Sequence, residues 1–115
     1  MSERTQELRK KIEGLTDAES IMLEILSVFN QTEIIPDVGK YYTFIYLAKT
    51  ANKKFDQFPL IACTEILPWG FRGLNYHWGT LRNYTWQEVA GFLHVVENDE
   101  IDYLRSIPYA NILTK

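Results

Sequence analysis

The pattern of apolar and polar positions divides the chain into a helical part, a β-rich part and a mixed final part. In the first part, Leu8 and Ile12 are spaced at i and i+4, which is the period of an amphipathic helix. Ser2 is placed to cap this helix and Gly14 to end it. The sequence therefore predicts helical structure over residues 2–30, with a break near Gly14.

A second helical segment begins with a capping box, Thr16-x-x-Glu19. The residues behind it are apolar around much more than one stripe: Ile21, Met22, Leu23, Ile25, Leu26, Val28 and Phe29. A helix that is apolar on so many sides must be buried on more than one of them. It lies either deep under a sheet or against a partner, and we expect partner contacts at Ile21, Ile25 and Phe29.

The period changes to two in the middle of the chain, where aromatic and β-branched residues alternate. Tyr42, Phe44 and Tyr46 share one face of a strand over residues 41–48, and the other face is also apolar or amphipathic. Two further strands are predicted, at Leu60 to Ile66 and at Phe71 to Trp78. Three strands in meander order predict a small antiparallel, strongly bent sheet or partial barrel.

The final part is ambiguous between helix and strand over residues 86–96, because a capping box precedes a run that contains Gly91. Asn98 is placed to cap a short C-terminal helix that runs to Ile107 and is stopped by Pro108. The predicted fold class is α+β. We expect one domain over 1–115, with a helical arm at 1–30, a β-module at 39–79 and a C-terminal segment at 80–115.

Composition and charge narrow the class of protein. The 115 residues are 46% hydrophobic and 14% aromatic, which is typical of a globular domain with one core. The formal net charge is −3, with a mildly basic middle between two acidic ends. Duplex-DNA binding usually leaves a clear basic footprint, so this charge argues against it. The same pattern permits head-to-tail contact between neighbouring copies.

The single cysteine, Cys63, excludes an intramolecular disulfide and a thiolate cluster for zinc. A signal peptide and a membrane span are not expected, because no apolar run reaches the necessary length. We therefore expect a soluble protein that is made in a reducing compartment and has no metal, no cofactor and no membrane partner.

The densest cluster of unusual residues is the aromatic and glycine-rich stretch 69–79. One interpretation is that its rings fill a small core, and the other is that they stack on unpaired bases. The nucleic-acid interpretation assigns stacking to Tyr76 and Trp78. It assigns backbone contacts to Lys53, Arg72 and Arg82.

Catalytic motifs are weak in this sequence. Cys63 and His77 have the outline of a nucleophilic pair, but Cys63 lies in an apolar run, where a thiol is usually a buried hydrophobe. Paired carboxylates, a phosphate-binding loop and a dinucleotide fingerprint are missing, so the sequence indicates that the protein is not an enzyme. The motif at 55–59, Phe-Asp-Gln-Phe-Pro, is either an anchored loop or a docking point for a partner protein.

Three motifs in residues 39–79 carry a resemblance: Gly-Lys-Tyr-Tyr-Thr-Phe-Ile-Tyr from Gly39, Phe-Asp-Gln-Phe-Pro-Leu-Ile from Phe55 and Gly-Phe-Arg-Gly-Leu-Asn-Tyr-His-Trp from Gly70. This region resembles a family of small proteins of contractile-tailed phages, especially those that infect marine cyanobacteria. The resemblance implies a structural protein of the baseplate, neck or tail. Such a protein would be made in the host cytoplasm and carried in the virion.

The expected partners of such a protein are other virion proteins or copies of itself. On the sheet we expect the partner contacts at Tyr42, Trp69 and Phe71. A small adaptor or inhibitor of a host protein is the third hypothesis, after the structural protein and the protein that binds single-stranded nucleic acid.

Overall fold

A computed structural model describes residues 2–47 and 57–107 of the chain. Three α-helices are present in these residues: α1 (Glu3–Ile12), α2 (Ala18–Val28) and α3 (Ile101–Ser106). The strands are β1 (Thr32–Glu33), β2 (Tyr41–Tyr46), β3 (Leu60–Leu67), β4 (Gly70–Asn75), β5 (Thr80–Thr85) and β6 (Val89–Val96). Short 3-10 helices at Trp86–Glu88 and Asn98–Glu100 precede β6 and α3.

The six strands form one open sheet in the order β1-β6-β2-β3-β4-β5, and all neighbours are antiparallel. Strands β2 to β5 form a meander, in agreement with the sequence pattern. The last strand, β6, inserts between β1 and β2, so that the middle of the sheet is completed by a late part of the chain. The predicted α+β class is confirmed, with helices at both ends of the chain and a sheet that is not closed.

The helices cover one face of the sheet and form the first of two cores. Leu8 of α1, Ile25 of α2 and Leu104 of α3 are all buried there, together with Leu60 and Val96 of the sheet. The predicted N-terminal helices therefore pack on the sheet of their own chain. Most of the wide apolar surface of α2 is buried in this way, which is the first of the two alternatives that the sequence left open, and Leu23 stays exposed.

The second core is a cluster of aromatic rings on the other face of the sheet, called here the concave face. The rings of Phe44 and Tyr84 have centroids 5.5 Å apart, and those of Tyr46 and Tyr84 are 5.1 Å apart. Because two strands separate β2 from β5, a flat sheet would hold these residues about 14 Å apart. The sheet is therefore strongly curled around the aromatic cluster, in agreement with the predicted bend.

Two glycines of β4 permit this close packing. A Cβ atom at Gly73 would lie 2.6 Å from Ile61 Cδ1, and one at Gly70 would overlap the backbone of Tyr84. A side chain at Gly70 would push the two neighbouring strands apart, whereas one at Gly73 would first displace the Ile61 side chain.

The caps of the first two helices follow from short polar side chains. Ser2 caps α1 as predicted, because its hydroxyl accepts a hydrogen bond from the Thr5 N–H at 3.2 Å. The predicted cap of α2 is wrong by one residue. Asp17 takes that position instead of Thr16, and its carboxylate accepts from the Ser20 N–H at 2.9 Å.

A buried carboxylate joins the two ends of the described chain. Glu100 Oε2 accepts from the Ser2 hydroxyl at 2.7 Å and from Arg4 Nε at 2.9 Å. Its other oxygen accepts from the Glu97 N–H at 2.8 Å, and the Arg4 guanidinium lies 4.5 Å from the centroid of the Phe29 ring. Burial on its own would raise the pKa of Glu100, but these hydrogen bonds outweigh it and hold the pKa below its ordinary value.

The strand predictions need one substantial correction. The strand predicted from Phe71 to Trp78 ends at Asn75, whose side-chain oxygen accepts from the N–H groups of His77 and Trp78 at 2.8 and 3.1 Å. This turn leads into β5, which the sequence analysis missed. Residues 80–83 of β5 are exposed, so they lack the alternation that would have marked a strand.

The final part of the chain is also settled where it is described. The run that was ambiguous between helix and strand is β6 over most of its length, preceded by one 3-10 turn. The C-terminal helix begins at Ile101 rather than behind Asn98, because Glu97 and Glu100 form the capping box of a 3-10 turn there. Ala48 and Pro108 fall outside the described residues.

We predict that the aromatic cluster dominates stability. Replacing Phe44 by Ala removes a fully buried ring and should lower the free energy of unfolding by about 3–5 kcal/mol. The matched control is Phe92→Ala, because the Phe92 ring is exposed, and the loss there should stay below about 1 kcal/mol. Urea denaturation of the two variants checks this, and equal losses would contradict the assignment of the core.

Candidate protein-binding crevice

The candidate site is an apolar space at the mouth of the concave face, called here the crevice. It has a volume of about 460 Å³. Its floor is made by the buried side chains of Phe71 and Leu93. Ile34, Ile35 and Ile66 form its walls, and all three are exposed, with 75% and 62% of the first two accessible to solvent. Contiguous exposed apolar surface of this kind is typical of interaction sites.

The first wall is a loop over residues 34–39, called here the isoleucine loop, which is held by a polar network on its flanks. The Tyr42 hydroxyl donates to Glu33 Oε1 at 2.6 Å and accepts from the Asp37 N–H at 2.7 Å. Lys40 Nζ lies 2.8 Å from Glu33 Oε2 and 3.2 Å from Asp37 Oδ2. The ring of Tyr42 thus anchors this loop to the concave face.

The protonation states of this network match its geometry. Hydrogen bonds from Lys40 and Tyr42 hold the pKa of Glu33 below its usual value, so the carboxylate stays charged and accepts both. Burial and the hydrogen bond to Glu33 raise the pKa of Tyr42 well above its usual value, so the phenol keeps its proton. The network therefore persists unchanged across the neutral pH range.

Backbone pairing fixes the end of the same loop. The Gly39 N–H donates to the Cys63 carbonyl, and the Cys63 N–H donates to the Lys40 carbonyl, both at 2.9 Å. The loop that carries Ile34 and Ile35 is thus tied at both ends. A binding surface held in place before contact loses less conformational entropy on binding.

The opposite wall is braced by Trp86. Its indole N–H donates to the Pro68 carbonyl at 3.0 Å, and its ring centroid lies 5.4 Å from that of Phe71. The Trp86 N–H also donates to the Trp69 carbonyl at 3.2 Å. The turn between β3 and β4 is therefore locked to the segment between β5 and β6.

The structure places most of the predicted partner contacts in the interior of the chain. Ile21, Ile25 and Phe29 are buried in the helix-side core. They had been expected at an interface because their helix is apolar on several sides, but α1 and the sheet cover those sides. Of the three contacts expected on the sheet, Tyr42 and Phe71 are fully buried in the aromatic cluster.

Trp69 is the predicted contact that the structure leaves accessible. It is 43% exposed, in the turn between β3 and β4, and it follows Pro68, which lines the crevice. The residues that the sequence analysis missed are Ile34, Ile35 and Ile66. A signal for the first two was present, since two adjacent isoleucines in a connector that is broken by Pro36 and Gly39 have no strand or helix to bury them.

The residues of the nucleic-acid hypothesis do not come together on one surface. Arg72 donates to Glu65 Oε1 and to Asn83 Oδ1, both at 3.0 Å. In the register of β4 and β5, Arg82 pairs with Gly73, so its side chain lies on the face opposite to that of Arg72. The guanidinium of Arg82 lies 5.8 Å from the centroid of the Trp78 ring.

The other two residues of that hypothesis add little to a common surface. The Tyr76 ring packs against the helix-side core, with its centroid 6.1 Å from that of Tyr41. Lys53 lies outside the described residues. Among the described residues, the hypothesis therefore rests on Trp78 and Arg82.

The suggested Cys63–His77 pair is not activated. Cys63 is buried in the aromatic cluster, and this burial raises the pKa of its thiol. Burial, together with the positive charge of Arg105, lowers the pKa of His77 to about 4. At neutral pH both groups are uncharged, which is the opposite of the thiolate–imidazolium pair that a cysteine nucleophile uses.

A second apolar groove, of about 370 Å³, lies between α2 and the end of β2. Leu23 and Leu47 are exposed at its rim, and Phe58 is buried in it. It borders the stretch 48–56, which is outside the described residues and includes two residues of the predicted docking motif, Phe55 and Asp56. We therefore take the crevice as the candidate site.

Tryptophan fluorescence tests the hypothesis of single-stranded nucleic-acid binding. Because Arg72 and Arg82 point to opposite faces, we expect that an oligothymidine added at low salt does not bind and leaves the fluorescence unchanged. Saturable quenching that weakens as salt is raised would instead support base stacking on Trp78. In that case Arg82→Ala should reduce the quenching and Arg72→Ala should not.

The buried imidazole predicts an acid-sensitive fold. The pKa of His77 is about 4 in the folded protein and near 6.5 in the unfolded protein, so the unfolded state binds more protons between these pH values. The contribution of this group to the free energy of unfolding is therefore fully present above pH 6.5. It falls by up to about 3 kcal/mol as the pH is lowered towards 4. In urea denaturation measured over this pH range, the midpoint of the original protein should fall as the pH is lowered. This pH dependence should be lost in His77→Gln and kept in His94→Gln.

The described residues show neither a metal-binding cluster nor a membrane-spanning helix. Among them, no three His, Cys, Asp or Glu side chains are placed to hold a metal ion together. None of the described helices has the length and apolar character needed to cross a membrane. No protein-family model matches the chain, and no match was found among curated proteins or solved structures.

Proposed function

We propose that this protein is a non-enzymatic assembly protein of a tailed phage, in the baseplate, neck or another tail-associated position, and that it acts by binding another protein in the crevice. The observation that carries the proposal is the pair Ile34 and Ile35, exposed at 75% and 62% on a loop that is fixed at both ends. In water such a surface is unfavourable, and a partner that covers it gains the free energy of burial.

Three features support a binding role over a catalytic one. The site is lined mainly by apolar side chains, which suits protein contact more than proton transfer. Of the thiol and imidazole that could have formed a nucleophilic pair, the thiol is buried and the imidazole is partly buried, and both are neutral. The polar groups beside the crevice, Glu33, Lys40 and Tyr42, are committed to holding the isoleucine loop.

The assignment to a phage virion rests on the sequence resemblance over residues 39–79. That segment contains β2, β3 and β4, and it supplies Phe71 of the crevice floor and Ile66 of the wall. The chain would be made in the host cytoplasm and then incorporated in the particle. An adaptor or inhibitor of a host protein would use the same surface without being incorporated.

The proposal predicts that the protein is a stoichiometric part of the particle. Density-gradient-purified virions of the source phage, digested and analysed by quantitative mass spectrometry, should contain it in a fixed ratio to the tail proteins. If the protein is abundant in the infected-cell lysate and missing from the particles, the virion assignment fails. The adaptor or inhibitor hypothesis then takes its place.

The same proposal predicts a defect that depends on the position of the substitution. Phage with Ile35→Lys should assemble fewer complete tails, because a charge is placed in the apolar wall. The matched control is Leu81→Lys, at an exposed leucine on β5 that does not line the crevice, and it should assemble normally. Equal numbers of complete tails from both, counted by electron microscopy, would show that the crevice is not the assembly contact.

A further inference from the structure

The strand that borders the crevice, β6, is paired near both of its ends on one side and at only two residues on the other side. On the inner side, Val96, Val95 and His94 pair with β2, as do Ala90 and Val89, and the register is irregular between these two stretches. On the outer side β1 pairs only with His94 and Leu93. Within residues 2–47 and 57–107, no strand lies beside Val89–Phe92 on that outer side.

The gap arises because the chain turns away from the sheet at Ile34. If β1 continued in register, Ile34 and Ile35 would lie beside Phe92 and Gly91, but they bend out to form the crevice wall. A stretch of β6 edge is thus left open along the crevice. Such an edge presents backbone donors and acceptors that pair readily with another extended chain.

The open edge and the crevice face the same space. Val89 and Gly91 of the open stretch both line the crevice. Gly91 has a φ of +84°, and a Cβ atom at this position would meet nothing within 4 Å. The backbone of β6 is therefore bare at this point, so that another main chain can approach closely.

We propose that the crevice binds an extended segment of a partner protein, which adds to the sheet as a strand beside Val89–Phe92. Main-chain hydrogen bonds to the open edge hold the segment. Every second side chain, aliphatic or aromatic, enters the crevice against Ile35, Ile66 and Trp86. This mode combines affinity from the backbone with specificity from the pocket, and it rests on the proposed function because it names the partner of the same site.

A second copy of this protein fits less well. Its described edge strands are β1, which has only two residues, and β5. Neither face of β5 is apolar at alternate positions: one carries Arg82 beside the buried Tyr84, and the other carries Asn83 and Thr85 beside Leu81. Adding this strand to the edge would therefore place a guanidinium or an amide in the apolar crevice. The occupant with matching chemistry is a different chain with apolar residues at alternate positions.

The experiment uses the full-length protein and a yeast-displayed library of short random peptides as the probe. We expect selection to enrich peptides with apolar residues at alternate positions and without proline between them. A synthetic peptide of the enriched sequence should bind Ile35→Lys and Ile66→Lys at least about tenfold more weakly than the original protein. Leu81→Lys should bind within about twofold, because surface changes outside a contact have small effects.

Backbone pairing has its own readout. On peptide binding, the amides of Val89–Phe92 should exchange with deuterium more slowly. N-methylation of every second peptide amide should abolish binding when the methylated amides are those that face β6. Methylation of the other set of alternate amides should leave binding intact. Both lysine substitutions are at exposed positions, and circular dichroism with urea midpoints verifies that the variants remain folded.

Three results would overturn the inference. The first is a selection that enriches no peptide, and the second is peptide binding that is as strong in the crevice variants as in the original protein. The third is an original protein that is a dimer in light scattering and that Ile35→Lys dissociates, which would make a second copy the occupant. Failure here is distinct from failure of the proposed function. Detection in particles tests the virion assignment without any peptide, and peptide binding tests strand addition without any particle.

Discussion

The contact between the rings of Phe44, on β2, and Tyr84, on β5, is the constraint on which the rest of the fold depends. It brings together two strands that a flat sheet would hold about 14 Å apart. Once the sheet is curled in this way, one face can hold only a compact aromatic cluster. The other face must be covered by helices. Gly70 has no side chain, so its backbone can lie against that of Tyr84, which permits this curvature. The aromatic cluster and the position of this glycine therefore determine the curvature of the sheet together.

The curl also explains why an apolar crevice exists. A small sheet that bends this strongly and does not close leaves an opening on its concave face, and Trp86 braces that opening without filling it. Filling it would require a longer β1, but the chain leaves the sheet at Ile34. The fixed loop that results is stabilised by Tyr42 and Glu33 from inside the protein, so its exposed isoleucines do not depend on a partner for their position.

Local sequence patterns predicted the parts of the fold that local physics controls. The alternation that starts at Tyr42 predicted β2 and its two apolar faces, and Ser2 predicted the start of α1. The same patterns report that a face is buried and not which element covers it, which is why Ile25 was assigned to an interface. β5 was missed because an edge strand needs little apolar alternation. The exposed role of Ile34 depends on where β1 ends, and that is a property of the tertiary structure.

The hydrogen bond between Ser2 and Glu100 has a consequence for synthesis of the chain. These residues are separated by 98 positions, so this contact of the first helix cannot form until residue 100 has been synthesised. At about 5–20 residues per second, the N-terminal helix waits on the order of 5–20 s for its acceptor. β6, which joins β1 to the rest of the sheet, emerges only shortly before. The apolar helices and strands therefore lack part of their cover until residue 100 has been synthesised.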